Sequence, residues 1–377
     1  MFATSRDFSN CRFEHSCKCF RANLGLAESP AERYAAGVML PRSSSSLLPV
    51  PRMSALALVV GAGAMTSACS SEVGLGDLRV LVEAEDVIVD GLEPGDSPEN
   101  VRDGWAVEFE RYVVVLGEVH VELTSDSSIE AEDPTLHAID LAAVDPAGVS
   151  LWALDGLEEG RWQFYYGVAP ADAATQRHAN VDAEVFDAMV AGEWAYSIAG
   201  ELRKADGVSC PPASLATPPP SAVPAGENAA GDPCYPAESV RFEIGVGGAA
   251  ATHFGPCEVD GVPGFSITAG AEASVGITIH GDHLFFNGFP EGAEGGVMRL
   301  AQWLADCDLD LDGVVTQAEL EAISPSDLVE LDDRYQLGGS PITPIPDMWT
   351  YVMAQLETQG HFQGEGECPI DGTEHAH

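Results

Sequence analysis

The chain has 377 residues, with 60 Asp and Glu against 17 Lys and Arg, and a formal charge of −43. So large an acidic excess excludes a nucleic-acid surface and a surface for anionic lipid, since both need clustered Lys and Arg. Hydrophobic residues still make up 45% of the chain, enough for a folded core rather than a solvated acidic tail.

Residues 39–69 read as an export signal, with Arg42 and Arg52 ahead of an apolar run from Ala55 to Met65. That run is too short to span a bilayer but suits a signal core. It ends in Thr66-Ser67-Ala68-Cys69, small residues before a single Cys, which resembles the lipobox of bacterial lipoproteins. Cys69 is then the expected lipidation site and the membrane anchor. Thr66 departs from that pattern, and ordinary signal-peptidase cleavage after Ala68 would instead release a secreted product. Residues 1–38 lie upstream of the signal and read as a start codon placed too early. Their Cys11, His15, Cys17 and Cys19 match no closed zinc spacing. Residues 70–77 read as a tether.

From residue 78 to about 290 the signals are for strands. Trp105–Tyr112 alternates and continues into Val113-Val114-Val115, and Gly160–Tyr166, Trp194–Ile198 and Val240–Val246 repeat the theme. Phe265–Thr268 and Ala273–Ile279 read as a pair joined by a glycine-containing turn. One helix is predicted over Asp182–Met189. The Pro-rich stretch 211–233 reads as an inserted surface loop, because strand patterns resume after it. Many short strands between Gly, Pro and Asp turns favour an antiparallel β-sandwich.

Beyond residue 293 the period changes from 2 to 3.6. Val297, Leu300, Ala301 and Leu304 fall on one helical face. A short helix is expected after Ser324-Pro325, and a last one through Trp349, Val352, Met353 and Leu356, closed by Gly360 in the left-handed region. The fold class is therefore mainly β with a C-terminal α part: a sandwich over 78–290, a small helical domain over 293–366 and a tail over 367–377.

Within that helical part, Asp308-Leu-Asp310-Leu-Asp312-Gly313-Val314-Val315-Thr316-Gln-Ala-Glu319 fits the EF-hand loop. Ca²⁺ is a hard ion that takes six to eight oxygens, so carboxylates at alternate positions converge on it. Asp308, Asp310, Asp312, the Val314 carbonyl, Thr316 and Glu319 are the expected ligands, and Gly313 turns the chain around the ion. Apolar Val315 points inward at the position that usually meets a second loop. No second loop follows, so the β part is expected to supply the missing surface. Calcium is then a structural cofactor held in the weak range of extracellular modules, with Kd on the order of 10⁻⁴–10⁻³ M.

Ile277-Thr-Ile-His280-Gly-Asp282-His283 ends an apolar strand. Alternation puts His280 and Asp282 on one face and His283 opposite, unless the chain turns at Gly281. With His253 and His361 they could gather Zn²⁺ or Cu²⁺; the alternative is that these histidines hydrogen-bond and orient loops. Nucleophilic catalysis has no supporting motif, and the chain reads as non-enzymatic, with a metal-dependent hydrolase as the remote alternative. Export implies an oxidising compartment, where Cys210–Cys234 would close the Pro-rich loop and Cys257–Cys368 would tie down the tail, leaving Cys307.

The runs Asp103-Gly-Trp-Ala-Val-Glu-Phe109, His280-Gly-Asp-His-Leu-Phe285 and Gly360-His-Phe-Gln-Gly-Glu-Gly366, together with the acidic loop, resemble uncharacterised acidic bacterial lipoproteins that couple a β-rich domain to a single EF-hand. The likeness covers about residues 78–370 and departs at the Pro-rich insertion. It implies that His280, Asp282, His283 and His361 belong to one design, and it carries no function with it. The reading is a calcium-binding cell-envelope lipoprotein, at the outer membrane or its periplasmic face. The competing reading is a periplasmic protein that binds Zn²⁺ or Cu²⁺ through its histidines.

Overall fold

Leu78, Val80 and Val82 alternate along the first strand and are fully buried, so one face of that strand meets a core and the other does not. The fold is described from a computed structural model for residues 73–289, 296–328 and 336–370. The signal over 39–69, Cys69, the segment 1–38 and the end of the tail lie outside the described residues.

In chain order the principal strands are β1 (Leu75–Ala84), β2 (Ala106–Leu123), β3 (Asp126–Asp133), β4 (His137–Asp140), β5 (Val149–Glu158), β6 (Gly160–Val168) and β7 (Trp194–Arg203). They continue as β8 (Ser239–Gly247), β9 (Thr252–Phe254), β10 (Phe265–Ile267), β11 (Glu272–Ile279), β12 (Val314–Val315) and β13 (Gly360–Phe362). The helices are α1 (Asp86–Asp90), α2 (Ala183–Gly192), α3 (Gln302–Ala305), α4 (Gln317–Ala322) and α5 (Met348–Leu356). The fold is mainly β, as the sequence pattern implies.

Two sheets share one apolar core. A four-stranded sheet runs β13-β11-β1-β5, and a ten-stranded sheet is built on the path β9-β6-β2-β7-β8-β12. Val275, Ile277 and Ile279 of the smaller sheet and Tyr112, Phe164 and Phe242 of the larger join the same buried cluster. Most pairs are antiparallel. β1 and β11 pair in parallel, and so do β8 and β12. These partners are far apart in sequence, so the long crossover that a parallel pair needs is available.

Several local expectations change. Phe265–Ile267 and Glu272–Ile279 do not pair with each other: β10 joins β6 in the larger sheet, while β11 joins β1 and β13 in the smaller one. The turn between them carries the chain from one sheet to the other, which a local pattern cannot distinguish from a hairpin. The tether expected over 70–77 is shorter, because Leu75–Asp77 already pair with β5 and β11. The helical face expected from Val297 is confined to Gln302–Ala305; Arg299 instead forms bridges with Val101 and Phe286. Gly360 is not a left-handed cap but opens β13, where a Cβ would lie 2.5 Å from the Tyr166 hydroxyl and 2.6 Å from the Phe254 ring. The predicted helices at 182 and 349 form, capped by Asp182 and Asp347. After Ser324 there is a single 3₁₀ turn, Pro325–Asp327, with the reciprocal Ser324/Asp327 cap.

The described C-terminal residues share the core of the sheets: α5 is buried nearly all round, and its Trp349, Val352 and Leu356 lie in the same cluster as the strands. β12 and β13 are strands of the two sheets rather than of a helical module, so the boundary expected near 290 divides nothing in the core. Cys210–Cys234 and Cys257–Cys368 are bonded, and Cys307 is buried and unbonded. Two disulfides place the chain in an oxidising, non-cytoplasmic compartment. No helix among the described residues is long and apolar enough to cross a membrane.

Candidate metal centres

Loop 308–319 begins where α3 ends. Asp103, from the strand side, accepts hydrogen bonds from the backbone N–H groups of Ala301 and Gln302 at 2.8 Å, capping a helix whose own first residues supply no cap. Trp105 holds the same corner through Nε1 donating to Gln302 Oε1 at 2.9 Å. The Asp-Gly-Trp run thus positions the entry to the acidic loop.

In the loop, Asp308, Asp310 and Glu319 each bring one carboxylate oxygen within 4.8 Å of the others. Asp308 is buried and accepts from the N–H groups of Asp312 and Gly313 at 3.1 and 3.0 Å. Gly313 has φ +86, the conformation its position demands. Glu319 accepts from Leu309 N–H at 2.9 Å and, through its other oxygen, from Thr316 N–H and Oγ1–H at 2.8 Å, which also caps α4. Asp312 turns to accept from Val314 N–H at 2.8 Å. Burial, followed by the charges of Glu319, Asp312 and Asp310, pushes the Asp308 carboxyl up to about 6. The loop is thus a site where negative charges repel.

Val314 and Val315 pair in parallel with Arg241 and Phe242 of β8, and Val315 is fully buried. The β part therefore supplies the partner surface for the single loop. On the other side, Thr217 of the Pro-rich segment donates its N–H to the Leu309 carbonyl at 2.7 Å, and Cys210 N–H donates to Asp306 Oδ1 at 2.6 Å. That insertion is docked against the loop rather than free on the surface.

The second cluster forms where β11 stops. Gly281–Phe285 is a 3₁₀ turn, so His283 swings round to the side of His280, the condition on which their meeting depended. A Cβ at Gly281 would lie 2.5 Å from Ile88 Cγ1, so only glycine lets this turn approach α1 so closely. β13 brings His361 alongside through the Thr278–His361 register. The three imidazoles each place a possible ligand nitrogen within 4.8 Å of the others. The His280 and His361 rings stack at 3.9 Å, and the His283 ring stands edge-on to His361 at 5.3 Å.

His253 does not join them. It is exposed beside Glu118 at 3.3 Å, in a surface hollow shared with His120, Glu122 and Tyr165. The alternation of β9 carries it outward while Thr252 and Phe254 point in. Asp282 sits next to the cluster but is engaged elsewhere: Arg299 Nε donates to its Oδ2 at 2.7 Å, and Arg299 Nη2 contacts the same oxygen. Sequence reasoning missed three participants. Glu85, at the end of β1, lies 3.7 Å from His280 Nδ1. Thr358 accepts from His283 at 2.9 Å, and Arg299 pairs Asp282. The scarcity of basic residues in so acidic a chain was the one available signal for Arg299.

Burial lowers the His361 imidazole to about 3, helped by its His280 and His283 neighbours, and lowers His283 well below the ordinary range. Both rings are neutral at neutral pH. Burial raises the Glu85 carboxyl to about 9, with the Asp282 charge and a hydrogen bond between the two carboxyls adding to it and Arg299 opposing. Glu85 therefore carries a proton.

Comparison with family models, with curated proteins and with solved structures finds no match to this chain.

Proposed function

We propose that this chain is a calcium-binding, non-enzymatic protein of the cell envelope, in which one Ca²⁺ in loop 308–319 acts as a structural cofactor. The convergence of the Asp308, Asp310 and Glu319 carboxylates carries the reading. Asp312, the Val314 carbonyl and Thr316 complete the oxygen set, in keeping with the preference of Ca²⁺ for six to eight hard ligands. Because α3, the loop and β12 are continuous in sequence, an ion at the loop fastens the capped helix to the edge of the larger sheet. One loop paired with a strand, rather than with a second loop, favours a lock over a sensor that opens. A lipid anchor at Cys69 is part of the same proposal, supported by the export signal and by the oxidising compartment that the disulfides imply.

The test is a Ca²⁺ titration of chelator-stripped full-length protein, followed by its melting temperature. Ten millimolar Ca²⁺ against a Kd of about 10⁻⁴ M stabilises by about 2.7 kcal/mol, a rise of roughly 5 °C in a chain of this size. Glu319→Gln abolishes the rise. An unchanged melting temperature, or an equal rise in the variant, sinks the proposal.

A further inference from the structure

We propose that His280, His283 and His361 form a binding site for one divalent transition-metal ion of the Zn²⁺/Cu²⁺ class, separate from the calcium loop. Four features meet at this point.

The first is a lone pair that the fold has left open. Thr358 Oγ1 donates to the Gln355 carbonyl at 2.8 Å, so its hydrogen is committed and it can only accept from His283 Nδ1 at 2.9 Å. That fixes the tautomer: Nδ1 of His283 carries the proton and Nε2 presents its lone pair. A ligand histidine is ordinarily held in this way, by a hydrogen bond on the nitrogen that does not bind the metal. Likewise His280 Nε2 lies 3.2 Å from the Gly364 carbonyl, an acceptor only, which leaves Nδ1 of His280 open.

The second is an orphan. His361 Nδ1 is buried and has no hydrogen-bond partner among the described residues. Buried polar atoms are nearly always satisfied, and a metal ion satisfies this one.

The third is distance. Nitrogens bound at 2.0–2.1 Å around a tetrahedral ion lie about 3.4 Å apart, and each of the three imidazoles already has one nitrogen within 4.8 Å of the others, so closing on an ion needs the rings to draw together and the His280–His361 stack to open.

The fourth is the flank. Glu85 Oε1 lies 3.7 Å from His280 Nδ1, and Asp282 beside it is paired with Arg299, so a carboxyl oxygen stands next to the open nitrogen of His280. Three imidazoles with a flanking carboxylate suit zinc and copper, whereas Ca²⁺ takes oxygen. His361, the most accessible of the three rings, marks the way in.

The experiment loads full-length, Ca²⁺-saturated protein with Cu²⁺, removes the excess by gel filtration, and reads the bound ion by metal analysis and electron paramagnetic resonance. One copper per chain with nitrogen hyperfine structure is the expected result. Co²⁺ loaded in the same way gives no thiolate charge-transfer band, which excludes the cysteines of the chain as ligands. His361→Gln retains less than a tenth of the copper, and Thr358→Val binds it 10–100-fold more weakly. His253→Gln retains it in full, and filling the acidic loop with Ca²⁺ before loading separates this site from that loop. Absence of retained copper, a thiolate band, or undiminished retention in folded His361→Gln overturns the proposal. The wild-type spectrum counts the nitrogens directly, so the proposal stays testable if a variant fails to fold.

Discussion

Val315 of the acidic loop lies in parallel register with Phe242 of β8, and both side chains are buried in the common core. The loop is therefore held from two directions: by Asp103 capping the helix that enters it, and by a sheet strand beside the residue that follows its glycine. On the proposal that the loop holds Ca²⁺, an ion between these two anchors would stabilise the association of helix and sheet, not the loop alone.

Val315→Ala removes two buried methyl groups facing Phe242 and destabilises the protein by about 2 kcal/mol. Because the same pairing supports the loop, Ca²⁺ affinity falls as well. Urea midpoints with and without Ca²⁺ measure both effects. A variant that loses stability with no change in calcium affinity would show that the pairing and the loop are uncoupled.

Asp103→Ala uncaps α3 from a distance of nearly two hundred residues in sequence. The expected loss is about 1 kcal/mol, as for other removed helix caps. Asp103→Asn, which keeps an acceptor oxygen, retains most of the stability. Thermal melting of the pair checks it, and equal loss in both variants would assign the role to charge rather than to capping.

Glu357, half-buried at the end of α5, is pushed by burial up to about 7. A raised carboxyl pKa means that the folded state prefers the neutral form. The group costs nothing below its ordinary pKa of 4.5; the penalty builds as the pH rises from there to 7 and is complete above it. Glu357→Gln should therefore gain roughly 1–2 kcal/mol at pH 8, after discounting for the partial exposure of the group, and nothing at pH 4. Urea midpoints of the two proteins across that range report the difference, and a gain independent of pH would refute this cause.

The Cys257–Cys368 bond spans 111 residues and the Cys210–Cys234 bond 24. Loop-closure entropy assigns them about 5 and 3.5 kcal/mol respectively. Replacing both cysteines of each pair by serine should lower the urea midpoint more for the longer loop, which fixes the segment after β13 to the Phe254–Glu258 region. The reverse order would show that docking of the Pro-rich segment on Leu309 outweighs the entropy of the loop.

Much of the acidic loop could be read from residue type and order. Carboxylates at alternate positions, Gly313 and a closing Glu319 make a local pattern, and such patterns follow from chain geometry over a dozen residues. The inward turn of Val315 was also legible, and so was the Cys210–Cys234 pair, whose members closely flank the Pro-rich stretch.

The sequence by itself therefore determined which residues alternate, which cap and which can ligate. Tertiary structure decided which of them meet. The strand periods of Phe265–Ile267 and Glu272–Ile279 were legible, but nothing local says that one strand joins β6 and the other β1. His253 and His361 looked equivalent on the chain; the outward face of β9 sends the first to the surface, and pairing of β13 with β11 brings the second to His280. Glu85 entered the cluster only because β1 runs parallel to β11, so that their ends coincide. A periodic pattern records which side of a segment is wet. The neighbour on its dry side is selected by packing between segments that the chain holds far apart, such as Thr278 and His361 or Ala84 and Ile279, and this is where the histidine cluster acquires its geometry.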